Sequence, residues 1–177
     1  MKSYHPSIVF SLIVLCIFAL PQIGIDLYLP ALPSITTSLQ SSIASGQASM
    51  SIYVFSMGGT QLFYGPLSDV YGRKPVVLSG IVIFFCGSII ASMAPSMAIF
   101  LLGRAIQGIG MGSGFTVASA ILADEFKGAE LARMGSYSSM VFSSSPLLAP
   151  VLGGYIAHYF YWQVNFYVMA VLSLLLF

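Results

Sequence analysis

The sequence predicts an all-α, polytopic membrane protein with six membrane-spanning helices. Hydrophobic residues make up 58% of the 177 positions, and Lys, Arg, Asp and Glu together make up only 6%. A soluble domain carries about a quarter charged residues, so this chain cannot build a soluble surface. Its uncharged runs also have the length of a bilayer span, which takes about 20 helical residues.

Six apolar segments follow one another along a single transmembrane domain that covers residues 1–177. They span residues 7–29, 48–67, 75–94, 97–123, 134–157 and 164–177. The first begins after a basic residue, as a cleaved signal peptide does, but it is longer and has no small-x-small cleavage site, so we expect it to be retained. The sixth remains apolar to Phe177 and is shorter than a full span, so we expect a longer polypeptide.

Basic residues predict the orientation of these segments. Lys or Arg is present in every connection on one side of the membrane and in none of the connections 33–47, 95–96 and 158–163 on the other; the residues are Lys2, Arg73, Lys74, Lys127 and Arg133. Short cytoplasmic loops carry such an excess. The amino terminus is therefore predicted to be cytoplasmic. The Ser- and Thr-rich stretch 34–49 is expected to be a solvated outer connection.

Two charged residues fall within the apolar segments. Asp26 lies near the outer end of the first segment, and Arg104 lies in the first third of the fourth. Each costs roughly 2.5–3.5 kcal/mol at mid-bilayer, so such residues are candidate functional sites. With a rise of about 1.5 Å per residue, the two reach similar depths and are expected to face each other or to share one polar cavity. Gln107, three residues beyond Arg104, shares its helix face.

Two interpretations of these charges remain open at this stage. In the first, Asp26 is a proton-responsive or cation-recognising carboxylate, and its distance from Arg104 controls its protonation. In the second, Asp26 and Arg104 form a permanent structural ion pair that only joins two helices, because a buried pair is not by itself a sign of activity.

Glycine and proline mark the fourth and fifth segments. Residues four apart stack on one helix face, so the fourth segment has two faces of small residues that allow close helix packing, Gly108 with Gly112 and Gly110 with Gly114. In the fifth segment, Pro146 and Pro150 each lack a backbone N–H donor. Gly153 and Gly154, close by in the same segment, have no side chain. We expect a bent fifth helix with a closely packed flank.

The connection between the second and third segments has the most specific pattern. Residues 65–75 read GPLSDVYGRKP, a short charged turn in which glycine relaxes the backbone and proline suits the first turn of the next helix. Asp69 can pair with Arg73 or cap a helix. The charges also anchor this end at the membrane surface.

This pattern resembles the loop signature of the major facilitator superfamily. The signature positions are occupied by Gly65, Asp69, Gly72, Arg73 and Lys74. Residues 104–110, RAIQGIG, resemble the RxxQGxG motif of the fourth helix, and residues 146–154 resemble the antiporter motif of the fifth, with Ala149 where many antiporters have glycine. Together with DLYLPALP at 26–33, the pattern is similar to that of Bcr/CflA-type drug:proton antiporters.

The resemblance implies the amino-terminal half of a twelve-helix fold, built from two inverted three-helix repeats, with the carboxyl-terminal half absent. It also implies a charge network of Asp69, Arg73 and Asp124 that stabilises the outward-facing state. The expected partners are a small-molecule substrate, protons as coupling ion, the lipid bilayer and the missing half, in a bacterial inner membrane. Central substrate sites and alternating access are expected of such folds.

Three classes of function are therefore compared. The leading prediction is a proton-coupled exporter of drugs or other small amphipathic molecules; the alternatives are a carrier for one metabolite, such as a sugar or amino-acid derivative, and a non-transporting scaffold or receptor. No nucleophile–base or metal-ligand pattern occurs, so we predict no enzyme, catalytic residue, cofactor or metal, and no nucleic-acid partner. Cys16 and Cys86 are expected to be buried structural thiols.

Aromatic and methionine side chains offer a candidate binding surface, because such side chains suit adaptable apolar recognition. None is singled out by the sequence, since most must pack or face lipid. The set comprises Tyr28, Tyr53, Phe55, Met57, Phe63, Met111, Phe115, Tyr137, Met140 and Phe142.

Overall fold

The computed structural model describes residues 8–177, which form a bundle of α-helices without a strand. The helices are α1 (Ile8–Asp26), α2 (Leu32–Ser38), α3 (Ile43–Tyr71), α4 (Arg73–Ser92), α5 (Met97–Glu125), α6 (Gly128–Tyr159) and α7 (Gln163–Leu175), with a 3-10 turn, Leu29–Ala31, between α1 and α2. The predicted all-α fold is confirmed. Lys2 and Ser7, used above to predict orientation and the first boundary, lie outside the described residues.

The bundle has two ends, which we name from their tight turns. The Gly72 end contains the single residue between α3 and α4 and the junction of α5 with α6. The Ser96 end contains the turn between α4 and α5 and the connection from α6 to α7. Helix α1 begins at the Gly72 end and finishes at the Ser96 end.

The first span is interrupted at a specific point. Helix α1 ends at Asp26, and the chain passes through the 3-10 turn before the helix resumes at Leu32. Pro30 and Pro33 have no backbone N–H, so neither can donate to a carbonyl in the preceding helical turn. Leu27 still donates to the Ile23 carbonyl at 3.0 Å, while the Gly24 carbonyl in the same last turn of α1 is left for a side-chain donor.

The predicted outer connection at residues 33–47 is mostly helical, so that prediction was wrong in extent. Helix α2 continues to Ser38 and α3 begins at Ile43, which leaves residues 39–42 as the link. The side chain of Ser42 accepts a hydrogen bond from the backbone N–H of Ser45 at 3.1 Å. Serine in this stretch thus caps a helix, which is a common role for this residue type.

The long segments differ in length and polarity. Residues 8–38, α4, α5 and α6 are each long and apolar enough to cross a bilayer. Helix α3 has 29 residues but contains many Ser, Gly and Gln, and α7 has 13 residues. The described residues therefore contain four segments with the length and apolarity of a membrane span, together with the long but more polar α3 and the short α7.

Helix α5 is the centre of the bundle, because glycine lets its neighbours approach it closely. It packs most extensively against α4 and α3. A Cβ atom added to Gly110 would lie 2.5 Å from the Gly80 carbonyl oxygen of α4. Gly108 and Gly112 both face α3, as their spacing predicted, whereas Gly114 faces Pro21 of α1.

The same packing pattern occurs twice. Helix α3 packs on α5 as α6 packs on α1, and the pairs α1–α5 and α4–α7 are also in contact. If α1 is exchanged with α5, α3 with α6, and α4 with α7, the α3–α5 contact becomes the α6–α1 contact, and the pairs α1–α5 and α4–α7 are unchanged. Because α1 and α5 start at opposite ends of the bundle, the six long helices form two three-helix repeats of inverted direction.

The outer surface of the bundle is apolar. Helices α3 and α6 expose large side chains such as Phe55 and Leu147. Cys16 and Cys86 are exposed as well, so their predicted burial was wrong. Lipid tails are as apolar as these side chains, so exposing them to a bilayer carries no hydration penalty.

The turn at Gly72 gives the first testable prediction. Its φ of 91° and ψ of 155° lie in a region that is essentially restricted to glycine. Gly72→Ala should lower the free energy of unfolding of the full-length protein by about 1–3 kcal/mol. Gly72→Asn should lower the free energy of unfolding by a similar amount, because asparagine tolerates the left-handed helical region but not a ψ of 155°. Reversible chemical unfolding in detergent would measure both; a tolerated asparagine would contradict the conformation.

Candidate functional site: a caged arginine beside a lone carboxylate

Arg104 is completely buried on α5, and its guanidinium group binds two neutral acceptors. One terminal nitrogen, Nη1, donates to Oε1 of Gln107 at 2.6 Å. The other, Nη2, donates to the backbone oxygen of Gly24 at 2.9 Å. Gly24 belongs to the last turn of α1, where the helix break leaves carbonyl oxygens without backbone donors. The arginine therefore caps the end of α1, where the helix dipole favours a cation.

Two tyrosine rings enclose the same guanidinium group. Its central carbon lies 4.2 Å from the ring centre of Tyr28 and 4.4 Å from that of Tyr53, with Phe166 further away at 5.9 Å. A desolvated cation–π contact contributes about 2 kcal/mol or more. Contacts of this size offset part of the several kcal/mol that an ion loses on burial. We call Tyr28 and Tyr53 the tyrosine cage.

Each cage ring is tethered through its hydroxyl group. The Tyr53 hydroxyl, on α3, donates to the backbone oxygen of Pro21 on α1 at 2.9 Å. The Tyr28 hydroxyl, just after α1, shares a hydrogen bond of 2.9 Å with Ser49 on α3. These reciprocal bonds between the two chain segments hold both rings against Arg104. Sequence analysis had grouped both tyrosines with a possible binding surface, but they are fully buried.

Asp26 lies at the last position of α1 and is only 6% exposed. Its Oδ2 accepts a hydrogen bond of 2.8 Å from Nε2 of Gln22, one turn earlier. Within residues 8–177, Arg73 forms ion pairs with Asp69 and Asp124, and no ion pair joins Asp26 to Arg104. The alternative of a permanent Asp26–Arg104 ion pair was therefore wrong, because carbonyl, amide and aromatic groups occupy the arginine.

Gln107 links the arginine to the next helix. While its Oε1 accepts from Arg104, its Nε2 donates to Oγ of Ser88 on α4 at 2.7 Å. Ser88 in turn donates to the backbone oxygen of Phe84. The absence of a side chain at Gly87 lets α4 approach α5 closely at this point, since a Cβ atom there would lie 2.6 Å from the backbone nitrogen of Gln107. The predicted proximity of Arg104 and Gln107 thus occurs within a chain of hydrogen bonds.

The loop signature forms a second charged cluster at the Gly72 end. The Arg73 side chain donates through Nε to Oδ2 of Asp124 at 2.9 Å and through Nη1 to Oδ1 of Asp69 at 2.6 Å. Ser68 also accepts from Nη1. This arrangement joins α3, α4 and α5 at one point. The structure therefore brings together the three residues that the resemblance assigned to a network.

The remaining signature residues have different surroundings. Gly72 supplies the backbone conformation of the turn, while a Cβ atom on Gly65 would meet only Thr116, at 3.9 Å. Lys74 has no ion pair among the described residues. It lines a cavity of about 560 Å³ between the ends of α1, α4 and α5, together with Arg73 and Glu125.

The proline and glycine residues of α6 place this helix against the end of α1. Pro146 and Pro150 lie within the continuous helix Gly128–Tyr159. Gly153 contacts the backbone of Leu27 so closely that a Cβ atom would overlap its carbonyl oxygen. Gly154 is less crowded, with the nearest atom, in Pro30, 3.5 Å from such a Cβ. The motif therefore supports the break that follows Asp26.

The described residues contain no group of three or more His, Cys, Asp or Glu side chains placed to bind a metal ion.

A second cavity, of about 480 Å³, lies between α1, α6 and α7 and is lined mainly by aliphatic side chains such as Ile23 and Leu148. The hydroxyl group of Ser145 in this cavity is buried without a hydrogen-bond partner. Ser144, its neighbour, donates to the carbonyl of Val141, the acceptor one turn earlier that a helical serine commonly uses.

An inverted helical bundle with a buried arginine and a charged interhelical turn defines a half of a membrane carrier fold. The chain belongs to the Major Facilitator Superfamily, whose family model matches residues 13–177. It is 40% identical over 163 residues to the multidrug resistance protein MdtL of Citrobacter koseri, covering 90% of this chain and 42% of that protein. It is 31% identical over 175 residues to the bicyclomycin resistance protein homolog of Haemophilus influenzae, covering 99% and 44%.

Solved structures show the same fold at lower sequence identity. The peptide transporter POT in complex with sulfate aligns with a TM-score of 0.80 and 21% identity, covering 99% of this chain and 37% of that one. A D-xylose-proton symporter aligns with a TM-score of 0.79 and 16% identity, covering 96% and 47%. The chain thus spans less than half the length of these relatives.

The glycine pair of α6 gives a prediction with an internal control. Gly153→Ala should destabilise the full-length protein by several kcal/mol or displace α6 from α1, because the new methyl group would overlap the Leu27 backbone. Gly154→Ala adds the same atoms at the next position and should cost less than about 1 kcal/mol. Thermal unfolding of both variants would test this, and equal effects would contradict the packing described.

Proposed function

We propose that the full-length protein is a secondary active transporter that exports drugs or other small amphipathic molecules in exchange for protons. The observation that carries this proposal is the carboxyl group of Asp26, which lies in a membrane span without a fixed cationic partner. Relatives named for multidrug resistance and bicyclomycin resistance support the same class of substrate. The proposal applies to the whole protein, of which this chain is one part.

Asp26 is the coupling residue in this proposal. Among the described residues, the Asp26 carboxylate accepts a side-chain hydrogen bond from Gln22 alone, so it can bind either a proton or a cationic group of a substrate. If the two compete for the same oxygen atoms, binding of one releases the other, and this competition couples their movements. Arg104 and Gln107 complete the proposed coupling site as a fixed positive charge and its hydrogen-bonded partner on α5.

The Gly72 end is proposed to face the cytoplasm, with the amino terminus on the same side, in a bacterial inner membrane. The basic residues Arg73, Lys74, Lys127 and Arg133 support this orientation through the positive-inside rule. The Arg73 cluster is then a cytoplasmic latch that stabilises the outward-facing state and separates when the protein opens inward. Alternating access around a central site is the expected mechanism of such folds.

The partner of this half is proposed to be the remaining part of the chain. Its relatives are more than twice as long as the matched region, which leaves room for a second bundle. The exposed apolar faces of α3 and α6 are the surfaces on which that bundle would pack, because these two helices bury the smallest share of their own residues among the described helices. Substrate would then lie between the two halves.

Asp26→Asn is the direct test of the coupling proposal. Efflux by the full-length protein in proteoliposomes should respond to an imposed pH gradient, and the variant should lose that response because an amide cannot release a proton. Glu125→Gln, which neutralises an exposed acid at the far end of the bundle, should retain it. A variant that responds like the unmodified protein would remove Asp26 from the mechanism.

The same assay separates the alternative functions. A carrier for one metabolite would show competition from one class of solute and none from unrelated cationic dyes. A scaffold would transport neither the metabolite nor the dyes. In that case Asp26 and Arg104 could be replaced together by apolar residues without functional loss.

Arg73→Ala tests the proposed latch. Because these ion pairs are partly exposed, its loss should favour the inward-facing state by about 1 kcal/mol, or roughly fivefold in population. Lys74→Ala removes the adjacent charge, which has no ion pair among the described residues, and serves as the matched control. Spin-label distances between the two halves at the Gly72 end would report the populations. Equal shifts in both variants would indicate a general charge effect and reject the latch.

A further inference from the structure

We infer that Tyr28 and Tyr53 are positioning residues that hold the Arg104 charge away from Asp26. The tyrosine cage, the Gly24 carbonyl and Gln107 together satisfy the guanidinium group, and this leaves the Asp26 carboxyl group available to a proton or a cationic substrate. This inference rests on the proposed function. It adds the arrangement of side chains that keeps the coupling carboxyl group of Asp26 without a paired arginine.

The first argument is the nature of the groups around the arginine. Arg104 is fully buried, yet both of its hydrogen-bond acceptors are neutral, and its Nε has no partner. An arginine in such a place ordinarily pairs with a carboxylate, because planar guanidinium and carboxylate groups form two parallel hydrogen bonds. Here the terminal nitrogens donate to Gln107 and to the Gly24 carbonyl instead, and the faces of the two rings lie 4.2 and 4.4 Å from the guanidinium carbon.

The second argument is that the ring positions are specifically supported. Both hydroxyl groups are engaged on the opposite chain segment, with Pro21 and with Ser49. Gly24 provides the space for the Tyr53 ring, since a Cβ atom there would lie 2.5 Å from the hydroxyl oxygen. A buried tyrosine hydroxyl needs a hydrogen-bond partner in any case. Here each partner lies on the opposite chain segment, so the two bonds fix the orientation of the rings beside Arg104.

The third argument is the short path between the arginine and the acid. The guanidinium group is bonded to Gly24, and Asp26 follows two residues later. A flexible arginine released from the cage has this carboxylate as its nearest opposite charge along α1. The cage therefore prevents a pairing that the backbone would otherwise permit.

The other titratable groups near the end of α1 do not decide whether Asp26 has a cationic partner. Helix α3 contributes Tyr53, which belongs to the cage, and α5 contributes Arg104, which the cage encloses. On α6, which packs on Leu27, the titratable side chains towards the Ser96 end are Tyr155, His158 and Tyr159, and α7 contributes Tyr167; all four are exposed. Arg104 is the group whose position decides whether Asp26 has a cationic partner.

A hydrophobic carbodiimide tests this on the purified full-length protein, because it modifies protonated carboxyl groups in apolar surroundings. Labelling of Asp26 is read from the mass of its peptide, with Asp26→Asn as the blank. The unmodified protein and Tyr53→Phe, which keeps the ring, should be labelled. Tyr53→Leu should reduce labelling by about tenfold or more, because a neighbouring arginine favours the charged carboxylate.

Two further variants make the outcome decisive. Tyr64→Leu removes another largely buried tyrosine of α3 and should leave labelling unchanged. Tyr28→Met opens the other side of the cage and should act like Tyr53→Leu, which it replaces if that variant does not fold. Undiminished labelling in a folded cage variant would overturn the inference, and so would a failure of both cage variants to fold, since the rings would then be structural.

The labelling result is independent of transport. If Asp26→Asn leaves the pH response of efflux unchanged while the cage variants lose labelling, the proposed coupling fails and the cage remains. If the pH response depends on Asp26 but labelling is the same with and without the rings, the coupling stands and the cage has no positioning role.

Discussion

The burial of one arginine charge without a carboxylate is the constraint on which this half-bundle depends. Arg104 has no exposed surface, so every compensating group must come from the protein. Those groups are supplied by α1, α3 and α5, and through Gln107 the network reaches α4. Losing any of them would leave a buried charge or a buried polar group unsatisfied, which is costly in a low-dielectric interior. The site therefore also holds the helices together.

The interruption of the first span makes this arrangement possible. An uninterrupted helix would consume the Gly24 carbonyl in its own hydrogen bonding, and the arginine would need another acceptor. Because α1 ends at Asp26, the carbonyl is free and the carboxyl group lies at the break. Gly153 then allows α6 to pack directly on Leu27. Irregular backbone at membrane depth is tolerated where other helices cover it, as here.

Local sequence patterns predicted parts of both charged clusters. The spacing of Arg104 and Gln107 places them on one helix face, and they are hydrogen-bonded. The turn at Gly72 keeps Asp69 and Arg73 one helical turn apart in sequence, and they form an ion pair. The alternative of an Asp26–Arg104 ion pair does not occur in this structure, because similar depth does not determine direction around the helix axis. The connection predicted at 33–47 is mostly helical, because serine and threonine cap helices as readily as they form loops.

The sequence by itself determined that this chain is an all-α membrane protein, since its apolar segments, rare charges and glycine spacing depend only on local periodicity and on the energy of placing charge in lipid. Only the tertiary structure decided what surrounds those charges. Tyr28 and Tyr53 reach Arg104 from segments far apart in the chain. The choice between an aromatic cage and a carboxylate depends on helix rotation and on contacts between helices, neither of which is encoded by neighbouring residues alone.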